Sequence, residues 1–309
     1  MNRPGDAFVR QLIAPIVLIA LSCLPNVARS QESRAQEAAE PWAQTINVGD
    51  IAVSLPAPSL NDSMNSSEQE AALTQVAGKY PLDRFLKDSI VAPLNLVREN
   101  LKDSQGERIG HQVDLWFVAY GSLDQIRDRD LLTELFQATS SNDESESSAG
   151  QEAASPTADS GQALTSEQLA ARGLSSRSEN GIEQNYYRFE ARVIDKVLVQ
   201  GVVQGITRST EQSQLASMQL DERFREDKEF PNRWRHLESD ADAFAPYGGL
   251  AGYAKATRLL AHPGAILVEC HAVLHEPAAW FQGPNLLSSK LPLVTQDAVR
   301  SFRRKLGRD

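Results

Sequence analysis

YGGLAGYAKATRLLAHPGAILVECHAVLHEPAAWF, residues 247–281, is the stretch from which the fold is read. Two largely apolar runs flank His262-Pro263-Gly264-Ala265. Proline presets one turn angle and glycine accepts a positive one, so the tetrapeptide predicts a chain reversal and the runs predict a β-hairpin. A four-residue loop sets Ala261 opposite Ile266, Leu259 opposite Val268, Thr257 opposite Cys270 and Tyr253 opposite Leu274. That face is apolar apart from Lys255. The other face pairs Leu260 with Leu267, Arg258 with Glu269, Ala256 with His271 and Gly252 with His275. The expected Arg258–Glu269 pair supports this register by about 0.2–1 kcal/mol. A one-residue slip would exchange the faces.

The same period-2 pattern extends outward. Val113, Leu115, Phe117 and Ala119 alternate with Trp116, Val118 and Tyr120, and both faces are apolar. That pattern suits a central strand covered on both sides. Residues 89–101 read as its hairpin partner, turning at Asp103-Ser104-Gln105-Gly106, because Pro93, inside the segment, argues against a helix there. Tyr187, Phe189, Ala191 and Val193 predict a further strand, Val197 to Val203 another, and residues 212–220 a third. Gly201, Gly205, Gly248, Gly249 and Gly252 would let such strands bend. The segment 46–55 reads as one short strand and 56–67 as a loop. Helices are expected from Ser66 or Ser67 to Gly78, over 122–136 with a Ser122/Gln125 capping box, and from a Thr295 cap to Leu306. Arg300, Arg303, Arg304, Lys305 and Arg308 gather near that last C-terminus, where cations suit the helix dipole.

These elements predict one α+β domain. Its sheet is expected to be strongly curved and mostly antiparallel, with a partial barrel as one outcome and two or three helices packed on it. The domain is split into residues 45–136 and 185–309. Residues 137–184 are rich in Ser, Glu, Ala and Gly and read as a disordered acidic insertion. A short helix at 165–172 is expected within it. Residues 31–44 read as a flexible lead-in.

Residues 1–30 have the form of a secretory signal, with Arg3 and Arg10 before LIAPIVLIALSCL and small residues at Ala28 and Ser30. The apolar run is shorter than the roughly 20 residues of a membrane span. The expectation is export to the periplasm or beyond. Lipidation at Cys23, from Ala-Leu-Ser-Cys, is the alternative. Without Cys23, Cys270 stands alone and no internal disulfide forms. It reads as a small core residue. The net charge of −10 argues against a nucleic-acid partner.

Candidate chemistry centres on Glu269, His271 and His275. On a helix, the two histidines would be neighbours able to share a metal ion. On the predicted strand they share a face with backbones about 13 Å apart, which disfavours one shared ion. Glu269 with His271 could still form an acid/base pair. No Gly-x-Ser-x-Gly, His-Glu-x-x-His or Cys-x-x-Cys motif occurs. The first functional reading is a non-catalytic exported module that binds an apolar small ligand or an envelope component, without a cofactor. Its expected site is the concave face of the sheet. An enzyme using Glu269 and His271, with His275 as a possible addition, is the second. A structural protein of the cell envelope is the third.

Overall fold

The structure is a computed structural model. It describes residues 40–127, 161–193, 196–237, 243–280 and 286–307, with side chains only from residue 291 onward in the last span. The leader, the expected helix beyond 127 and most of the acidic insertion lie outside the described residues.

β1 (Thr45–Val48) and β2 (Ile51–Ser54) form a separate small hairpin. Gly49 and Asp50 break the single strand expected there into two, with Gly49 at φ +59°. Helices α1 (Ser66–Val76) and α2 (Leu82–Phe85) follow. Asn65 caps α1, one residue before the expected serine, and shares a capping box with Glu68. The main sheet begins with β3 (Leu94–Lys102) and β4 (Arg108–Tyr120), paired around the expected turn. α3 (Leu123–Arg127) starts with the Ser122/Gln125 capping box.

β5 (Gln162–Ala163), α4 (Ser166–Ala170) and β6 (Arg177–Glu179) correct the reading of residues 161–184 as disordered. Leu164, Leu169 and Leu174 pack against Tyr186, Val202, Phe224 and Phe230, and Arg172 bonds twice to Asp227, so the segment is tied to the sheet. The capping box of α4 is the expected one, Thr165 with Gln168. β7 (Ile182–Val193), β8 (Val197–Ser209) and β9 (Ser213–Leu220) then form a meander. β10 (Arg233–His236) and β11 (Ala245–Pro246) extend it.

β12 (Leu250–Arg258) and β13 (Ala265–His275) complete the sheet as the predicted hairpin. The strand order is β11-β10-β8-β9-β12-β13-β4-β3, with β7 beside β8 carrying β5 and β6. Every described pairing is antiparallel. The sheet is open: no described pairing joins its ends, so the expected closure toward a barrel is not found.

The register of the β12–β13 hairpin differs from the expected one. Arg258 stands opposite Ile266, and Lys255 stands opposite Glu269. The Pro-Gly turn forms as expected, with the Ala265 N–H donating to the His262 carbonyl at 2.9 Å and Gly264 at φ +78°. A second turn precedes it, closed by the His262 N–H on the Leu259 carbonyl at 3.2 Å. That extra turn takes up residues expected in the strand. Arg258 slides from Glu269 to Ile266, an odd number of residues, and an odd slide exchanges faces. Tyr253, Lys255 and Thr257 therefore share a face with Leu267, Glu269 and His271.

Both faces are covered. On one side α1, α2 and Leu60 pack on Val118, Leu259 and Leu267, while β1 packs on Ala251, Tyr253 and Val273. On the other side α5 (Leu286–Leu306) packs Val299, Phe302 and Leu306 on Leu115, Phe117, Ala256, Ile266 and Val268. This double cover explains the near-continuous burial of β12 and β13. α5 also corrects the expected Thr295 cap, since Thr295 and Pro292 both lie inside the helix. Leu291 and Val299, on either side of Pro292, are both buried, so packing carries the helix past the break.

Candidate functional site

The register places an ionic cluster on the face beneath residues 55–62. Tyr253, His271 and Asp114 form one row across β12, β13 and β4, and Lys255, Glu269 and Trp116 form the next. His271 Nδ1 lies 2.7 Å from Asp114 Oδ1, and its Nε2 lies 3.6 Å from Glu269 Oε2. The Gln112 amide donates to the other Asp114 oxygen at 3.1 Å. Trp116 meets the imidazole edge-on at 5.1 Å, and the Tyr253 ring lies 4.9 Å away. Burial alone would lower the pKa of His271. Its contacts with Asp114 and Glu269 outweigh burial and hold it above the usual histidine value. The two carboxylates thus bias the ring toward its protonated form relative to a free histidine.

The loop 55–62 lies across this cluster as a strap. Glu269 Oε2 accepts from the Ser59 N–H at 2.8 Å, and the Trp116 indole N–H donates to Ser59 Oγ at 3.0 Å. The Tyr253 hydroxyl donates to the Pro56 carbonyl at 2.7 Å. Lys255 Nζ donates to the Leu60 carbonyl at 2.7 Å and lies 3.3 Å from Asp62 Oδ1. Asp62 Oδ2 accepts from Thr210 Oγ1 at 2.6 Å and Ser213 Oγ at 3.0 Å. Burial pushes the Asp62 carboxyl upward, but these hydroxyls and Lys255 together bring it below the usual range.

Of the residues singled out from sequence, the structure brings Glu269 and His271 together and leaves His275 apart. Glu269 is 0% exposed and His271 1%, both beneath the strap. The His275 ring sits beside Tyr247, and its Nδ1 accepts from the Gly248 N–H at 3.1 Å. Burial lowers its pKa, with Asp50 working the other way. His271 and His275 thus have different surroundings, and among the described residues no group of three His, Cys, Asp or Glu is placed to hold a metal ion. Asp114 and Lys255 were missed as members of the cluster. The signal for Asp114 was a lone carboxylate inside an otherwise apolar strand. Cys270, expected as a core residue, is only partly buried, and burial with the neighbouring Glu269 charge pushes its thiol up to about 12.

A second site was not foreseen. An open groove of about 480 Å³ runs between α5 and the segment leading into β3. Its volume lies within the roughly 300–1,000 Å³ of small-molecule sites. Ile90 (44% exposed), Val91 (72%) and Leu293 (61%) line it. Lys79, Arg84, Arg300 and Arg303 supply cations. Arg303, one of the basic residues gathered near the C-terminus of α5, is buried at 8% exposure. Its Nε donates to the Val118 carbonyl at 2.8 Å. Nη1 donates to Ala92 at 2.6 Å and Ile90 at 3.4 Å, and Nη2 to Pro93 at 3.1 Å. The guanidinium thus staples α5 to β4 and to the edge of the groove. Burial lowers its pKa to about 10, so it stays charged at neutral pH.

The fold and the groove define an α+β protein built on one open antiparallel sheet, with a surface recess beside its C-terminal helix. No family model and no curated protein matches the sequence. The solved structures it is similar to include two with low scores. The human StarD13 (DLC2) lipid transfer and protein localization domain is 10% identical, covering 80% of this chain and 98% of its own, with a TM-score of 0.34. A putative uncharacterized protein from Rhizobium leguminosarum is 6% identical, covering 71% and 100%, with a TM-score of 0.31. Likeness at this level says nothing of what this chain binds. No helix among the described residues is long and apolar enough to cross a membrane.

Proposed function

We propose that the protein is a non-catalytic module, exported by its leader to the cell envelope, that binds a small molecule with an apolar chain in the groove beside α5. One observation carries this reading. Of the five large hydrophobic side chains exposed among the described residues (Ile90, Val91, Val97, Leu260, Leu293), three line one groove. Scattered exposed apolar residues need no explanation, but a cluster at a concavity marks a binding surface. The groove lies beside α5 and not on the sheet face beneath it, where Val299, Phe302 and Leu306 pack on β4, β12 and β13. Burial of Glu269 and His271 beneath the strap favours binding over acid/base catalysis at that pair.

The test is a titration with the neutral, environment-sensitive fluorophore N-phenyl-1-naphthylamine. The protein should bind it saturably. Val91→Asp with Leu293→Asp should weaken binding at least about tenfold, since fully burying one such side chain is worth about 1.5–3 kcal/mol. Absence of saturable binding, or equal affinity in the folded double variant, would refute the reading.

A further inference from the structure

We infer that the groove selects a single-chain amphiphile with an anionic head, a carboxylate or phosphate, and seats that head at Arg303 among Arg300, Arg84 and Lys79. This rests on the reading just given and names the ligand class for the same groove. The first support is the state of Arg303. It is a buried cation whose described partners are four backbone carbonyls and no carboxylate. Carbonyl dipoles satisfy its N–H groups but leave the net charge uncompensated, and buried charges are ordinarily paired. Those four bonds can engage four of the five guanidinium N–H groups, which leaves one on Nη2 without a described acceptor.

The second support is the company Arg303 keeps. Lys79, Arg84 and Arg300 line the same recess, in a chain whose net charge is −10. Asp297, 3.5 Å from Arg300, is half exposed, so that pair is solvated. Four cations and no acid line the groove, which makes a local positive field in an acidic protein. The apolar side chains Ile90, Val91 and Leu293 lie in the same groove. A head group and a chain thus each have a place.

The experiment compares dodecanoate, dodecanol and dodecyltrimethylammonium, each below its micelle concentration, by displacement of the same fluorophore from the full chain. Acetate serves as the head alone, and phosphatidylglycerol vesicles as the membrane source of an anionic head. Dodecanoate should displace at least tenfold more tightly than dodecanol, the cation should be weakest, and 0.5 M salt should narrow the gap. In the surface variant Lys79→Gln/Arg84→Gln/Arg300→Gln, with unchanged circular dichroism, the preference should fall below threefold. Arg303→Lys, if folded, should weaken dodecanoate at least threefold, because an ammonium has too few N–H groups to meet the four carbonyls and an acceptor as well; unchanged affinity would overturn the seat at Arg303. Equal displacement by dodecanoate and dodecanol overturns the inference and leaves the binding reading standing. Failure of every alkyl compound overturns the reading itself. A preference that survives the triple substitution, or binding to vesicles without binding to monomeric dodecanoate, also overturns the inference.

Discussion

Replacing Lys255 with Met should loosen the strap without disturbing the sheet. The lysine side chain is 8% exposed and its ammonium donates to the Leu60 carbonyl at 2.7 Å. Methionine keeps most of the buried stem while removing the charge. A hydrogen bond from a charged group is worth about 1.5–3 kcal/mol. The Asp62 pair adds little, about 0–1 kcal/mol, because Asp62 is 32% exposed and screened by solvent. Glu269, opposite Lys255 on the ladder, also loses a neighbouring cation. The expected loss is about 2–3 kcal/mol in urea titrations at pH 7, or roughly 5–10 °C in Tm for a domain of this size. Amide exchange at Ser59 should quicken as its bond to Glu269 opens more often. A change under about 0.5 kcal/mol with unaltered Ser59 protection would refute the latch.

Stability should peak near pH 6.5, with the two strand histidines setting opposite flanks. His271 has a raised pKa, so its contribution is complete below the unfolded value of 6.5 and is lost as pH rises through the folded value. His275 has a lowered pKa, so its contribution is present above 6.5 and is lost as pH falls through the folded value. In denaturant titrations from pH 5 to 9, Asp114→Asn should flatten the alkaline flank and His275→Gln the acid one; an alkaline flank untouched by Asp114→Asn would count against the bias of His271 toward its protonated form. Gly249→Ala should cost about 2 kcal/mol or more, since an added Cβ would stand 2.2 Å from the Asn47 carbonyl oxygen. Gly106→Ala, with nothing within 4 Å but φ at +85°, should cost about 1 kcal/mol. Equal midpoints for the two alanine variants would show that β1 does not press on Gly249.

Much of the sheet was legible because its strands carry strong alternation. β4, β7, β8, β9 and the β12–β13 hairpin fall where period-2 apolar patterns put them, and Gly106 and Gly264 mark their turns. The register was not legible. Pro263-Gly264 announces one turn, but nothing in Leu259-Leu260-Ala261 announces the second, and the apparent Arg258–Glu269 match was a coincidence of charge. The ordered end of the insertion had a signal that composition concealed. Asn180-Gly181, both at positive φ, make the tight turn between β6 and β7. The polar cluster was half legible. Glu269 and His271 stood out, whereas Asp114 and Lys255 join them only through pairing of distant strands. The groove could not be read at all, because its walls come from residues 79–96 and 292–303.

The strap also bears on how the chain assembles while it is being made. Pro56, Ser59 and Leu60 find their partners 195–210 residues further along. At about 5–20 residues per second of synthesis, those residues wait roughly 10–40 seconds for Tyr253, Lys255 and Glu269 to appear. β4 waits nearly as long for β13. A nascent polypeptide stopped before residue 265 would hold an unsatisfied loop and a bare apolar strand, so chaperone capture should be heaviest in that interval and end once the final hairpin emerges.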